Sequence, residues 1–301
     1  KIVIHMEEKI NKKIIEIKST IKEITKHFNY TEKEINLLTI SYLSIIMLDD
    51  EVEDLLMEVL SKTYILFTTD TVLNTYQRLK QREIAEPLFT RLKESSSAYF
   101  GYEIIKDKII SENLIIISLK KEMYMIFDNL IHELKHAMNE VFPVFCETKK
   151  PYFYSGLAEG TKQEMIYEAI DEAFNSYLVK LYLDNITFLK QFKIEDSSIQ
   201  KILLNYKVPQ NYSFAYEKIV NICLPIFESQ FLFNKLYYST LYKDFDELDK
   251  AFHEVLGHTK DSIDFFLDLD EYLRNEKEMI EIEELDHSYL RKRIKIKPYI
   301  K

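Results

Sequence analysis

Four glycines and two cysteines among 301 residues leave little room for several kinds of protein. Cys146 and Cys223 form neither a C-x-x-C pair nor a disulfide framework, which favours a reducing compartment. Secreted bacterial enzymes can also lack disulfides, and residue 1 is Lys rather than Met, so a cleaved leader stays open and the cytoplasm is only slightly favoured. No apolar run approaches the roughly 20 residues that span a bilayer, which excludes an integral membrane segment. A net charge of −10 argues against a nucleic-acid partner, because phosphate binding calls for a basic surface. The one basic cluster, Arg291 to Lys297, alternates charged and apolar residues, as an edge strand or a solvated tail does. A hydrophobic content of 47% argues against disorder, and the length allows a large core. Glycine poverty beside abundant Ile and Lys suggests an AT-rich bacterial genome. Neither the oligomeric state nor a cleavage preference is legible.

Two features stand out against this background. Neither Gly nor Pro interrupts residues 121–142, and inside that run lies His132-Glu133-Leu134-Lys135-His136, an H-E-x-x-H motif. At about 100° per residue, Met123, Ile126, Phe127, Leu130, Ile131, Leu134, Ala137, Met138 and Val141 share one broad helical face. His132 and His136 fall on the opposite side near Asn129, one turn apart, with Glu133 at the edge. Two imidazoles so placed can bind one zinc ion, and the glutamate between them stands where a water would need a base. The apolar, β-branched run from Asn113 to Leu119 reads as a buried strand feeding this helix. The bland alternative is a surface helix that happens to carry two histidines.

A catalytic zinc usually takes three protein ligands and a water. The next helical segment, about Thr161 to Leu183, carries Glu164, Glu168, Asp171 and Glu172. Its apolar stripe is Ile166, Ile170, Ala173, Phe174, Tyr177 and Leu181, and Glu168 and Glu172 share a face away from it. Cys146 is a substitute ligand in principle, although beside Phe142, Val144 and Phe145 it reads as a small buried hydrophobe. Two of the four glycines, Gly156 and Gly160, lie between the two helices, where they suit a turn at a cleft mouth or an ordinary tight connection. His253 and His258, five residues apart, sit about 140° around a helix from each other, a poor chelating geometry. That segment reads as a helix end with Gly257 as its C-cap.

The motif, the connection and Glu168-Ala169-Ile170-Asp171-Glu172 on a second helix resemble the gluzincins, the thermolysin-like branch of the zincin metallopeptidases. The resemblance covers residues 113–180. It implies that His132, His136 and Glu168 bind Zn2+, that Glu133 is the catalytic general base, and that Glu172 braces a zinc-bound histidine. In that branch an Asn precedes the ligand and an Asp often provides the brace. Here Tyr167 and Glu172 hold those positions, so Glu164, Asp171 and Glu172 compete with Glu168 as ligand. A zincin-like site also needs a donor for the oxyanion, which His253, His258 or one of the 21 tyrosines could supply. The function implied is a zinc-dependent metallopeptidase acting on a peptide or protein substrate. The alternative is a non-catalytic zinc-binding helical protein with a regulatory or interaction role, in which a fourth protein ligand closes the zinc shell.

The fold expected is α+β and mostly helical. A zincin-like core at 96–185, with a small mixed sheet and the H-E-x-x-H helix, is flanked by helical regions at 1–95 and 186–301. Ile10, Ile14, Ile17, Ile21, Ile24 and Phe28 form a heptad-like seam, read as a long helix on the protein's own core in preference to a coiled coil. Thr31-Glu32-Lys33-Glu34 predicts a capping box opening a helix through Met47. Residues 50–94 read as largely helical with a short strand at Tyr64 to Thr68. Strands are expected at 98–105 and 113–119, and a weaker one at 143–155. Further helices are expected at 211–236, 244–256 and 261–277.

Overall fold

The computed structural model describes residues 2–80, 98–105, 108–139, 142–144, 152–161, 164–242, 244–256, 266–267 and 269–271. The described chain is mostly helical with two small sheets, and so is α+β. Among the described residues no helix is long and apolar enough to cross a membrane. Arg291 to Lys297, Cys146 and His258 lie outside the described residues.

Two compact units make up the chain. The first comprises residues 1–138 and 178–212. It opens with α1 (Ile2–Ile24), whose seam residues Ile14, Ile17 and Ile21 are buried while Ile15 between them is exposed. The seam packs on α2 (Glu32–Ile46) and α3 (Glu53–Lys62), so it serves the protein's own core. The capping box of α2 is formed in full. Thr31 Oγ1 accepts from the Glu34 amide at 3.3 Å, and the Glu34 carboxylate accepts from the Thr31 amide at 2.7 Å. Every residue of α2 from Ile35 to Ile46 is buried, as expected of a helix apolar on nearly all sides.

β1 (Tyr64–Thr68) runs parallel to β3 (Lys108–Ser118), and β2 (Ala98–Ile105) pairs antiparallel on the other side of β3. This mixed sheet has the order β1-β3-β2, with α4 (Val72–Lys80) packed on β3. Ile115, Ile116 and Ile117 of the central strand are fully buried. Such a β-branched run, buried on both faces, cannot show polar alternation. β3 leads into α5 (Met123–Met138), which packs on the sheet and on α2 and α3. Its buried residues include Ile126, Phe127, Leu130, Ile131, Leu134, Ala137 and Met138, the face expected from the wheel. Each large side chain buried there contributes about 1.5–3 kcal/mol. One residue departs from the pattern, because Lys135 is 0% exposed although the periodicity places it off the apolar stripe.

The second unit comprises residues 139–177 and 213–301. Its sheet is an antiparallel meander of β4 (Phe142–Val144), β5 (Tyr152–Ser155), β6 (Ala158–Thr161) and β7 (Glu164–Ile166). One weak strand was expected here, with a helix from about residue 161. Instead α6 (Glu168–Leu189) begins seven residues later, and Glu164 belongs to a strand that pairs with Thr161. Tyr167 ends the sheet with φ 62°, a left-handed conformation that separates strand from helix.

Within this unit Phe174 and Tyr177 of α6 pack against Phe227 and Phe233. Phe227 ends α8 (Glu217–Phe227), and Phe233 belongs to α9 (Gln230–Tyr242). A single helix was expected over 211–236. Pro225 lies inside the last turn of α8, where it supplies no amide and crowds the preceding turn, so the chain breaks and restarts as α9. In the first unit α7 (Ser197–Asn205) is capped by Asp196, and in the second α10 (Phe245–Leu256) ends one residue before Gly257.

Candidate metal centre

The histidine pair owes its geometry to one helix. His132 and His136 lie one turn apart on α5, both half-buried, while the opposite face is locked into the core. Their Nε2 atoms approach to 3.1 Å, and the rings stand edge-on at 77° with centroids 4.7 Å apart. Two nitrogens on a tetrahedral zinc, each about 2.0–2.1 Å from it, lie about 3.3 Å from one another. The pair therefore already has the bite of a chelate. Glu133, between them in sequence, is also half-buried.

Among the described residues, the acidic or thiol side chain that joins this pair in a group able to hold a metal is Glu172. His132, His136 and Glu172 each offer one ligand atom to such a group. Two imidazoles and a carboxylate match the donor set of catalytic zinc. Glu168, the ligand implied by the resemblance, is half-buried one turn earlier in α6 and is not a member of the group. Glu172, expected as the brace, is the carboxylate of α6 in that candidate group.

Asp171 has turned elsewhere. It is 6% exposed and accepts from the Leu157 amide at 2.6 Å. Gly156 and Leu157 form the two-residue turn between β5 and β6, with positive φ at the glycine alone, the pattern of a type II′ turn. A Cβ on Gly156 would stand 2.2 Å from Asp171 Oδ1, so glycine is needed both for φ and for the close approach. Of the expected oxyanion donors, His253 belongs to α10 and His258 lies outside the described residues.

A carboxylate and a phenol not anticipated for the site stand beside the histidines in the first unit. Asp128 precedes His132 by one turn of α5, so Asp128, His132 and His136 descend one side of the helix. The Tyr212 hydroxyl donates to Asp128 Oδ2 at 3.2 Å, and Tyr124 packs edge-on against the Tyr212 ring. Burial pushes the Asp128 carboxyl above its ordinary range, opposed by the nearby His132 and by the Tyr212 hydrogen bond. Burial likewise raises the Tyr212 phenol, aided by the Asp128 charge. The i, i+4 spacing of Asp128 and His132 was available as a signal. Nothing local pointed to Tyr212.

No protein-family model, curated protein or solved structure matches the chain. The functional reading therefore stands on the residues and their geometry.

Proposed function

We propose that the protein is a zinc-dependent metallopeptidase of the gluzincin type, with His132, His136 and Glu172 holding the metal. The observation that carries this reading is the 3.1 Å approach of the two Nε2 atoms on the motif helix. Zinc bound there supplies a Lewis acid and lowers the pKa of water. Glu133 is the general base. It takes a proton from the attacking water and returns it to the departing amine of the scissile peptide bond. Each histidine would offer Nε2 to the metal, with its proton on Nδ1. Asp128, one turn from His132, favours that ring electrostatically, and Tyr212 fixes the carboxylate's orientation.

Elemental analysis of protein prepared without chelators, beside a Glu172→Gln preparation, tests the donor set. About one zinc per chain in wild type and far less in the variant are expected. Glu133→Gln then separates a peptidase from a non-catalytic zinc protein. The variant should retain zinc and lose at least about 100-fold in turnover of a quenched fluorescent peptide library. Equal turnover in the two proteins would overturn the role of Glu133.

A further inference from the structure

The helix that carries Glu172 begins without any residue suited to begin it. Ser, Thr, Asp or Asn ordinarily caps the exposed amides of a first turn. Here the residue before Glu168 is Tyr167, in left-handed backbone that a non-glycine residue seldom adopts. Tyrosine has no short acceptor to return to the turn. The missing cap arrives from far along the chain. Asp270, 2% exposed, accepts from the Tyr167 amide through Oδ2 at 2.5 Å and from the Ala169 amide through Oδ1 at 2.9 Å. Each oxygen takes one amide, and the negative charge lies at the positive end of the α6 dipole. Phe266, four residues before Asp270, packs edge-on against the Tyr167 ring at 5.9 Å, so a second contact joins the same two segments.

We propose that Asp270 is a positioning residue for the metal centre, fixing the first turn of α6 and through it the azimuth and height of Glu172. This inference rests on Glu172 being a ligand. Glu172 stands one turn beyond the capped amides, and a frayed first turn would leave its carboxylate without a fixed direction. The two histidines, on α5, need no such help. Asp270 therefore acts on the carboxylate side of the donor set, and its loss should convert a three-ligand site into a two-histidine site without touching a ligand.

Asp270→Asn in the full-length chain is the decisive variant. It preserves volume but has one acceptor oxygen, so its amide group must face one of the two N–H donors. Zinc affinity is measured by competition with a chromophoric chelator, and cobalt(II) is substituted to read coordination from its visible spectrum. Zinc affinity should fall about 10–100-fold, the usual effect of losing a group that orients a ligand. The cobalt spectrum should shift toward that of Glu172→Gln, while a far-UV spectrum like wild type shows that the fold persists. Wild-type affinity and an unchanged cobalt spectrum in Asp270→Asn would overturn the inference alone. Wild-type protein that takes up no zinc would overturn the site and the inference together.

If Asp270→Asn does not fold, hydrogen exchange on wild type decides the matter. Zinc and an intact α6 start must favour each other reciprocally. Zinc should slow exchange of the Tyr167 and Ala169 amides at least about fivefold, the lower end of ordinary coupling. Unchanged exchange at both amides would refute the coupling.

Discussion

Replacing Gly156 with alanine should be among the most damaging single-methyl changes available in the second unit. The backbone there has φ +61°, and alanine in that region costs about 1–2 kcal/mol. The added Cβ would meet Asp171 Oδ1 at 2.2 Å and Cγ at 2.9 Å, and an alanine methyl has no rotamer that avoids them. The carboxylate must swing away, giving up the 2.6 Å bond from the Leu157 amide. A buried hydrogen bond to a charged group contributes about 1.5–3 kcal/mol. Strain and lost bond together come to about 2.5–5 kcal/mol. The assay is urea denaturation followed by far-UV circular dichroism, since the chain has no tryptophan to report by fluorescence. A double-mutant cycle isolates the clash. With Asp171→Ala already present the carboxylate is gone, so Gly156→Ala should cost only the backbone strain of about 1–2 kcal/mol. A loss below about 1 kcal/mol in the wild-type background, or equal losses in both backgrounds, would refute the reasoning.

Two further expectations concern pH. Asp196 caps α7 by accepting from the Ser198 and Ile199 amides, and its carboxylate pairs with Lys18, which also bonds Glu32. Burial pushes the Asp196 carboxyl up, but the Lys18 hydrogen bond and the amides hold it below the ordinary value of 3.8. Its contribution is therefore present above that value and lost as pH falls through the lower native pKa. Asp196→Ala should cost about 1–2 kcal/mol at neutral pH and progressively less in acid, read from urea midpoints against pH. Asp128 has the opposite sign. Burial raises its native pKa, so the ionised form costs stability at neutral pH and protonation relieves that cost as pH falls. Asp128→Asn should raise the stability of the metal-free protein at pH 7 relative to wild type, with the advantage vanishing in acid. A midpoint difference that does not change with pH would contradict the assignment.

What the sequence revealed divides by range. The core face of α5 and the Thr31–Glu34 capping box were legible because each depends on residues three or four apart, whose relative placement helix geometry fixes. The 3.1 Å histidine pair belongs to the same class. The start of α6 was not legible. Ile166 and Ile170 are spaced as a helix would space them, yet Ile166 closes a strand, and the left-handed Tyr167 that separates the two leaves no compositional mark. The choice between Glu168 and Glu172 is undetermined by local pattern for the same reason, because both occupy one face and the helix's start and rotation distinguish them. Lys135 shows the limit of periodicity, since its burial reflects what surrounds α5 and not its place in the heptad. Asp171 on the Gly156-Leu157 turn and Asp270 on α6 are contacts between distant residues, invisible to any local pattern.

The reach of the Asp270 cap has a temporal consequence. The amides of Tyr167 and Ala169 wait for a partner 103 and 101 residues downstream. At about 5–20 residues per second of synthesis, that interval lasts about 5–20 s. Throughout it the growing chain already contains His132, Glu133, His136 and Glu172, but the start of α6 is uncapped. Contacts of such long sequence separation also form late in refolding, because the loop they close must first give up its entropy. Translation order thus places the capping of α6 after the synthesis of every residue proposed to hold the metal.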